Sequence, residues 1–194
     1  MKSVSRGRFG KAKAEELQTL AKNTFGSFLF VDSASLAIRQ FIQQIKLLES
    51  QVAELDEFIK EKFAHFDNQL TTIVGIGTTL AASFFAEIGD INRFDSPDKL
   101  AAFAGIDPSV KQSGEFNGTK CHMSKRGSSY LRRTLWLAAA AGIRSNPAFR
   151  AIYDKKREQG KAHAVALSVV MRKICNIVFV ILKTNKPYEI VLPN

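Results

Sequence analysis

A serine followed by a glycine, Ser113–Gly114, lies in the polar stretch PSVKQSGEFNG, which we predict to be a loop. A serine hydroxyl can attack a phosphodiester when a base accepts its proton and cations balance the charge that develops on the phosphate oxygens. Four cations lie near it along the sequence: Lys111, Lys120, Lys125 and Arg126. Ser113 is therefore a candidate nucleophile, although a Ser-Gly pair by itself is also the usual composition of a turn.

A pair of glycines in VGIGTTLAASF, residues 74–84, forms a second candidate site. Gly75 and Gly77 permit a tight turn with positive φ and let the backbone come close to a phosphate. The helix that follows, beginning at about Thr78, would offer free N–H groups and the positive end of its dipole. We predict a helix-hairpin-helix over residues 70–89, which would bind a nucleic-acid backbone without reading its sequence. The alternative is a plain corner between two helices, with the glycines serving geometry alone.

A third candidate site is the basic segment SKRGSSYLRR, residues 124–133, at the predicted start of a helix. The guanidinium fork of arginine suits two-point contacts with phosphate. The segment therefore predicts phosphate binding by four cations, with a solvated basic face as the alternative: Lys125, Arg126, Arg132 and Arg133. Tyr130 and Trp136 could stack on bases, but their helical spacing favours packing in the core.

The elements that position these residues are predicted to be helical, and we assign the chain to the all-α class. Residues 1–35 are a basic, partly flexible arm. Apolar residues then recur every three or four positions from Leu36 to Phe66, which predicts a coiled-coil linker over residues 36–66. A helix that packs on its own domain is the alternative.

Residues 67–194 are predicted to form a compact helical domain. Ser96–Pro97, Ser128 and Asn146–Pro147 combine an N-cap residue with, in two cases, proline at the first helical position. They predict helices over about residues 97–104, 128–144 and 147–158. Apolar periodicity predicts a last helix over 162–183, with seven residues on its buried face: Ala166, Val169, Val170, Ile174, Ile177, Val178 and Ile181. A serine loop over residues 105–127 separates the first two of these.

Charge indicates the class of partner. The formal net charge is +10, and fourteen lysines and arginines lie from Lys111 to Lys173 against three acidic residues. Nucleic acid is therefore the first partner to consider and an anionic membrane surface the second. We predict no membrane partner, because the most apolar run, residues 174–182, is too short to span a bilayer.

Cofactor and compartment are inferred from the remaining residue types. Two cysteines, Cys121 and Cys175, cannot form a disulfide framework and suit a reducing cytoplasm, where we predict buried or half-buried thiols. The three histidines are scattered and match no zinc spacing. Three carboxylates close in sequence, Glu87, Asp90 and Asp95, are better explained as helix-end and turn residues than as Mg²⁺ ligands. We predict no metal ligand in this chain.

Taken in order, the segments GIGTTLAASFFAEIGDINRF, KQSG, SKRGSSYLRRTL and MRKICNIVFVILKTNKPY resemble the carboxy-terminal domain of IS110-type insertion-sequence transposases. The resemblance covers about Leu70 to Tyr188, and residues 36–66 resemble the coiled-coil linker of that family. It implies that Ser113, the serine of KQSG, is the nucleophile for strand cleavage and exchange. It also implies DNA as substrate, a structured guide RNA, and dimers or tetramers joined through the coiled coil.

In this family an amino-terminal RuvC-like domain supplies acidic residues that bind Mg²⁺ and completes a composite active site between protomers. The sequence begins shortly before the linker, so the resemblance implies that this chain lacks that domain. We therefore expect Mg²⁺ only together with a RuvC-like domain, and no recombination by this chain alone.

Three functional hypotheses follow. In the first, the chain is the DNA-binding carboxy-terminal part of a transposase that contributes Ser113. In the second, it is a non-catalytic module for nucleic-acid binding and oligomerisation. In the third, it is a coiled-coil adaptor whose basic surface is incidental.

Overall fold

The chain folds into helices joined by short turns, in a computed structural model that describes residues 10–23, 31–108, 112–113, 116–117 and 122–190. The helices are α1 Lys11–Lys22, α2 Val31–Phe63, α3 Thr78–Ile88, α4 Pro97–Ala104, α5 Ser129–Ser145, α6 Pro147–Glu158 and α7 His163–Thr184. Single 3-10 turns lie at Leu70–Thr72 and Ile91–Arg93, and the strands β1 Gln112–Ser113 and β2 Phe116–Asn117 form one short antiparallel pair. The all-α class is confirmed.

The predicted helix starts are confirmed by their caps. The Ser96 hydroxyl accepts a hydrogen bond from the backbone N–H of Lys99, at 3.4 Å. The Ser128 hydroxyl and the Asn146 amide oxygen accept corresponding bonds at the starts of α5 and α6, each at 3.0 Å. Pro97 and Pro147 occupy the first helical positions, where a missing N–H leaves no hydrogen bond unmade.

The chain divides into two units, Met1–Val52 and Ala53–Asn194. In the first unit, the apolar residues of α2 are between 50% and 62% exposed: Ile38, Phe41, Ile45, Leu48 and Val52. The helix begins earlier than predicted, at Val31, and ends at Phe63. The coiled-coil pairing of this helix stays a prediction.

The core of the second unit is built around α7, which packs against α4, α5 and α6. Five residues predicted on its buried face are buried: Ala166, Val170, Ile174, Val178 and Ile181. Val169 and Ile177, predicted on the same face, are half-buried. The core holds α5 and α7 side by side, and the candidate site lies between their amino-terminal halves.

The apolar character of α7 extends beyond the nine residues noted in the sequence. Among the described residues it alone is long and apolar enough to cross a membrane, with a mean hydropathy of 2.1 over 18 residues. Half of that window is buried inside the domain. The core position of α7 therefore accounts for its apolar character.

Cys175 lies on the buried side of α7, as predicted for a structural thiol. Burial raises its pKa to about 12. A thiol with so high a pKa stays protonated and unreactive at neutral pH. Cys121 lies outside the described residues.

Candidate nucleic-acid interface

The segment that carries the first two cations, residues 124–128, is fixed against the end of α4. The backbone N–H of Ser128 donates to the carbonyl oxygen of Phe103 at 2.7 Å, and that of Lys125 donates to Gly105 at 3.0 Å. Gly127 lies so close to α4 that a Cβ atom there would be 1.8 Å from the Phe103 oxygen. Only glycine fits at this position, and the contact leaves the Lys125 side chain exposed.

A groove of about 690 Å³ follows this segment, and we call it the basic groove. One wall is a single side of α5, because positions 129 and 136 each lie three or four residues from the adjacent positions 132 and 133: Ser129, Arg132, Arg133 and Trp136. Residues of α7 line the other wall, and His122, Met123 and Lys125 complete the lining. Its described lining contains no aspartate or glutamate: His122, Met123, Lys125, Ser129, Arg132, Arg133, Trp136, Ala164, Val165, Ser168 and Met171.

The cations of the groove differ in how they are held. Arg132 is half-buried, and its Nη1 donates to the carbonyl oxygen of Ala104 at 3.0 Å, so this side chain ties α5 to the end of α4. Lys125 and Arg133 are exposed, and neither has an ion-pair or hydrogen-bond partner for its side chain within the part of the chain that the structure describes. Arg126, outside the groove lining, is exposed in the same way.

The aromatic residues of α5 are not core residues. Tyr130 is 72% exposed and Trp136 is 36% exposed, so the prediction of core packing was wrong for this pair. The ring of Trp136 is perpendicular to that of His163, with centroids 6.5 Å apart. His163 Nδ1 is in turn hydrogen-bonded to the hydroxyl of Tyr153 at 2.7 Å. Trp136 thus lines the groove beside its cations.

The two glycines of the predicted hairpin have different roles. Gly75 has a φ of +97°, and a Cβ atom there would lie 3.1 Å from the Cα of Gly142 in α5. Gly77 has a φ of −81° and is the N-cap of α3, with open space around it. The prediction of positive φ was correct for Gly75 and wrong for Gly77. Since a single 3-10 turn precedes these glycines, the helix-hairpin-helix assignment stays a prediction.

The amino terminus of α3 has an acidic neighbour that sequence analysis did not find. The hydroxyl of Thr79 donates to Oδ1 of Asp56 at 3.2 Å. Thr78, one residue earlier, is half-buried, while Gly77 is exposed. A carboxylate beside the first turn of a helix stabilises the dipole there and repels a second anion. The predicted phosphate site at Gly77 and Thr78 therefore has a protein anion next to it.

Ser113 lies in β1, where its backbone is opposite Phe116 of β2. The stretch predicted as loop thus contains a strand pair. The side chain of Ser113, and Lys111 and Lys120, lie outside the described residues. The base of this segment is anchored, because Pro108 pairs with Met123 and the Ser124 backbone N–H donates to the carbonyl oxygen of Asp107 at 2.9 Å.

This anchor adjoins the basic groove, since Met123 and Lys125 are groove residues. The two ends of the segment that contains Ser113 therefore meet beside Lys125, one of the groove cations. The sequence signal for this arrangement was the closeness of Ser113 to the cations along the chain.

The carboxylates near these elements act at helix ends, as predicted. Glu87 Oε2 accepts a hydrogen bond from the hydroxyl of Ser128 at 2.8 Å. Asp90 Oδ1 accepts one from the backbone N–H of Asn92 at 2.9 Å. Across the described ranges, no group of three or more histidine, cysteine, aspartate or glutamate residues could hold a metal ion.

Comparison with known families identifies the segment that carries these features. Residues 67–154 match the model described as the Transposase IS116/IS110/IS902 family. The chain contains a transposase domain of this family. The matched residues include the predicted hairpin, α4, the strand pair and the α5 wall of the groove, whereas the α7 wall lies beyond them.

Relatives extend the similarity over most of the chain. It is 30% identical to the uncharacterized 42 kDa protein of insertion element IS900 from Mycobacterium paratuberculosis, over 80% of this chain and 40% of that protein. It is 31% identical to the uncharacterized 43.6 kDa protein of insertion element IS110 from Streptomyces coelicolor, over 85% and 39%.

A third relative is described as a pilin gene-inverting protein, from Moraxella bovis; it is 28% identical over 78% of this chain and 47% of that protein. The chain thus spans less than half of the length of each of these curated relatives.

Proposed function

We propose that this chain binds DNA through the basic groove and acts in DNA transposition as part of a transposase. The observation that carries the proposal is the pair of exposed cations, Lys125 and Arg133, in a groove whose described lining has no carboxylate. Such cations bind phosphate oxygens without having to release a protein partner first. The transposase domain match and the name of the Moraxella relative support DNA as the substrate.

Ser113 is the proposed nucleophile. Its Oγ would attack the phosphorus of a backbone phosphodiester, forming an Oγ–P bond while the bond from phosphorus to one sugar oxygen breaks. The serine proton passes to a base, and the departing sugar oxygen gains a proton to become a free hydroxyl. Attack by a hydroxyl of another strand would reverse the step and complete strand exchange. The groove cations would stabilise the charge on the non-bridging oxygens.

The remaining parts of the proposal concern assembly and cofactors. The amino terminus of α3, with Gly75, Gly77 and Thr78, would add a second backbone contact. The exposed apolar face of α2 would pair with another copy of the chain as a coiled coil, and a structured RNA would guide the complex. Mg²⁺, where the reaction uses it, would be held by a RuvC-like domain. A cytoplasmic location is part of the proposal, because the protein must reach the DNA on which it acts.

A second candidate function is a non-catalytic binding and assembly module. The observation in its favour is the apolar face of α2, which is exposed over five successive apolar positions and would serve assembly whether or not strands are cut. Both candidates need DNA binding, and only the first needs the hydroxyl of Ser113.

The test is a denaturing gel of the chain mixed with nicked, labelled DNA, a RuvC-like domain of the same family and its RNA. We expect a covalent protein–DNA adduct with native Ser113 and none with Ser113→Ala, while both proteins bind the DNA equally. Ser109→Ala is the matched control, because it removes a hydroxyl from the same predicted loop and should leave the adduct unchanged.

The outcomes separate the hypotheses. Binding without any adduct, in a mixture whose RuvC-like domain is folded, would leave the binding and assembly module. Affinity for DNA that hardly changes between low and moderate salt would contradict phosphate binding and favour the coiled-coil adaptor, since several phosphate contacts give a steep salt dependence.

A further inference from the structure

The groove contains more than a phosphate site requires. Trp136, the only tryptophan of the chain, lines it together with Lys125 and Arg133. Trp136 is 36% exposed, so part of this large aromatic residue remains open to a ligand in the groove. Lys125 and Arg133 have no side-chain partner among the described residues, so one surface carries both a flat apolar ring and two available positive charges.

The ring of Trp136 is also held in place. His163 meets it at an interplanar angle of 88°, so the two rings do not stack flat on each other. The hydrogen bond between Tyr153 and His163 fixes the orientation of the imidazole. Met171, which is buried, also lines the groove. A ring oriented in advance loses little conformational freedom when a ligand stacks on it.

We propose that the basic groove binds an unpaired nucleobase, stacked on Trp136, while the flanking phosphates contact Lys125 and Arg133. This inference rests on the proposed function, because it names the form of nucleic acid that the groove accepts. Aromatic rings and cationic grooves together are the usual means of binding single strands. The shared ligand chemistry is a single-stranded segment, of DNA or of RNA.

Size and stacking argue for an unpaired base. In a duplex both faces of each base are covered by its neighbours, so a protein ring reaches a base face only after the base has left the stack. A volume of about 690 Å³ is within the ordinary range of small-ligand sites, roughly 300–1,000 Å³. The groove therefore fits a base with its adjoining phosphates.

The single tryptophan makes a direct measurement possible. We would record tryptophan fluorescence of the full chain during titration with a thymine DNA oligonucleotide, the uracil RNA of equal length, an abasic strand of equal length and a duplex. We expect quenching by the first two strands and little quenching by the abasic strand or the duplex, although both of these carry the same kind of phosphates.

Equal quenching by the thymine and abasic strands would overturn the proposal and leave phosphate binding intact. If none of the four probes binds the chain, the proposed function is instead contradicted. Quenching by only one of the two single strands would identify DNA or RNA as the source of the base.

Variants test the role of the ring in affinity, measured with fluorescently labelled strands. Trp136→Leu should weaken thymine-strand binding about tenfold or more and leave abasic-strand binding unchanged, whereas Trp136→Phe should keep most of the affinity. Tyr130→Leu is the matched control, since Tyr130 is an exposed aromatic residue of α5 outside the groove lining, and it should change neither.

An equal loss for both strands in Trp136→Leu would assign the ring a structural role and overturn the proposal. If that variant fails to fold, the fluorescence comparison in the native chain still tests whether a base stacks on Trp136.

Discussion

The hairpin turn at Gly75–Gly77 and the basic groove on α5 both have the sequence features of phosphate sites, but their surroundings differ. At the hairpin, Gly75 is used for close packing on Gly142, and Asp56 provides a carboxylate beside the first turn of α3. In the groove, the side chains of Lys125 and Arg133 have no partner among the described residues. A glycine pattern can therefore serve packing within the fold alone, whereas a cation without a partner among the described residues remains able to bind an anion. We therefore expect the groove to supply most of the affinity for nucleic acid.

The largest expected effect on stability comes from replacing Gly127, which lets residues 124–128 lie against the end of α4. Gly127→Ala would place a Cβ atom 1.8 Å from the carbonyl oxygen of Phe103, so residues 124–128 would have to leave the end of α4. We expect the free energy of unfolding to fall by about 3 kcal/mol and the melting temperature by about 6–12 °C, measured by circular dichroism.

Gly77→Ala is the control for this substitution at the other region. It has open space around the added atom, so its loss should stay within about 1 kcal/mol, the usual difference between glycine and alanine at an N-cap. Equal losses for the two variants would show that the contact between residues 124–128 and α4 does not stabilise the domain.

The next effect concerns the groove cations. Replacing both Lys125 and Arg133 with alanine should weaken DNA binding by about tenfold to a hundredfold at low salt. The slope of log affinity against log salt concentration should become less steep by about 2, roughly one unit for each phosphate contact. The measurement is a titration of labelled DNA at several salt concentrations.

The matched control removes the same charge from α2. Lys60 and Lys62 are paired with Glu57 at 2.5 Å and with Glu61 at 2.9 Å. The Lys60→Ala, Lys62→Ala double variant should leave the salt slope unchanged. A similar change of slope in both double variants would mean that net charge, and not the groove, determines binding.

The smallest effect is expected at the hairpin. Asp56→Asn removes the negative charge beside the first turn of α3, so DNA affinity should rise about threefold if a phosphate approaches this turn. The same change should lower the free energy of unfolding by about 0.5 kcal/mol, because the carboxylate stabilises the helix dipole. Affinity is measured as above and stability by urea denaturation. A stability loss with unchanged affinity would remove the hairpin from the DNA interface.

Helix starts were predictable because their signals are local. Ser96, Ser128 and Asn146 each cap a helix through a bond to a backbone N–H two or three residues later, and proline follows two of them. The buried face of α7 was predictable for the same reason, since a helix repeats every 3.6 residues whatever it packs against. The sequence also identified the cations of the candidate site by residue type. It gave no information on which of them are hydrogen-bonded to other groups of the protein.

The parts that were predicted wrongly depend on partners distant in sequence. Tyr130 and Trp136 have a helical spacing that fits a core position as well as an exposed one, and the packing of the other helices leaves both residues exposed. Gly77 belongs to the same short glycine pattern as Gly75, which has a positive φ. Its own φ is negative, and it is the N-cap of α3.

Sequence alone was enough to predict the helical class, the caps, the basic character and the family resemblance, because each depends on residue type or on contacts within one helical turn. Which charges remain available depends on long-range contacts of the fold. Thr79 meets Asp56 across 23 residues, Arg132 meets the carbonyl of Ala104 across 28, and Ser128 meets Glu87 across 41. Whether a polar group is bound within the protein or open to a ligand depends on what the fold brings next to it, and no local pattern contains that information.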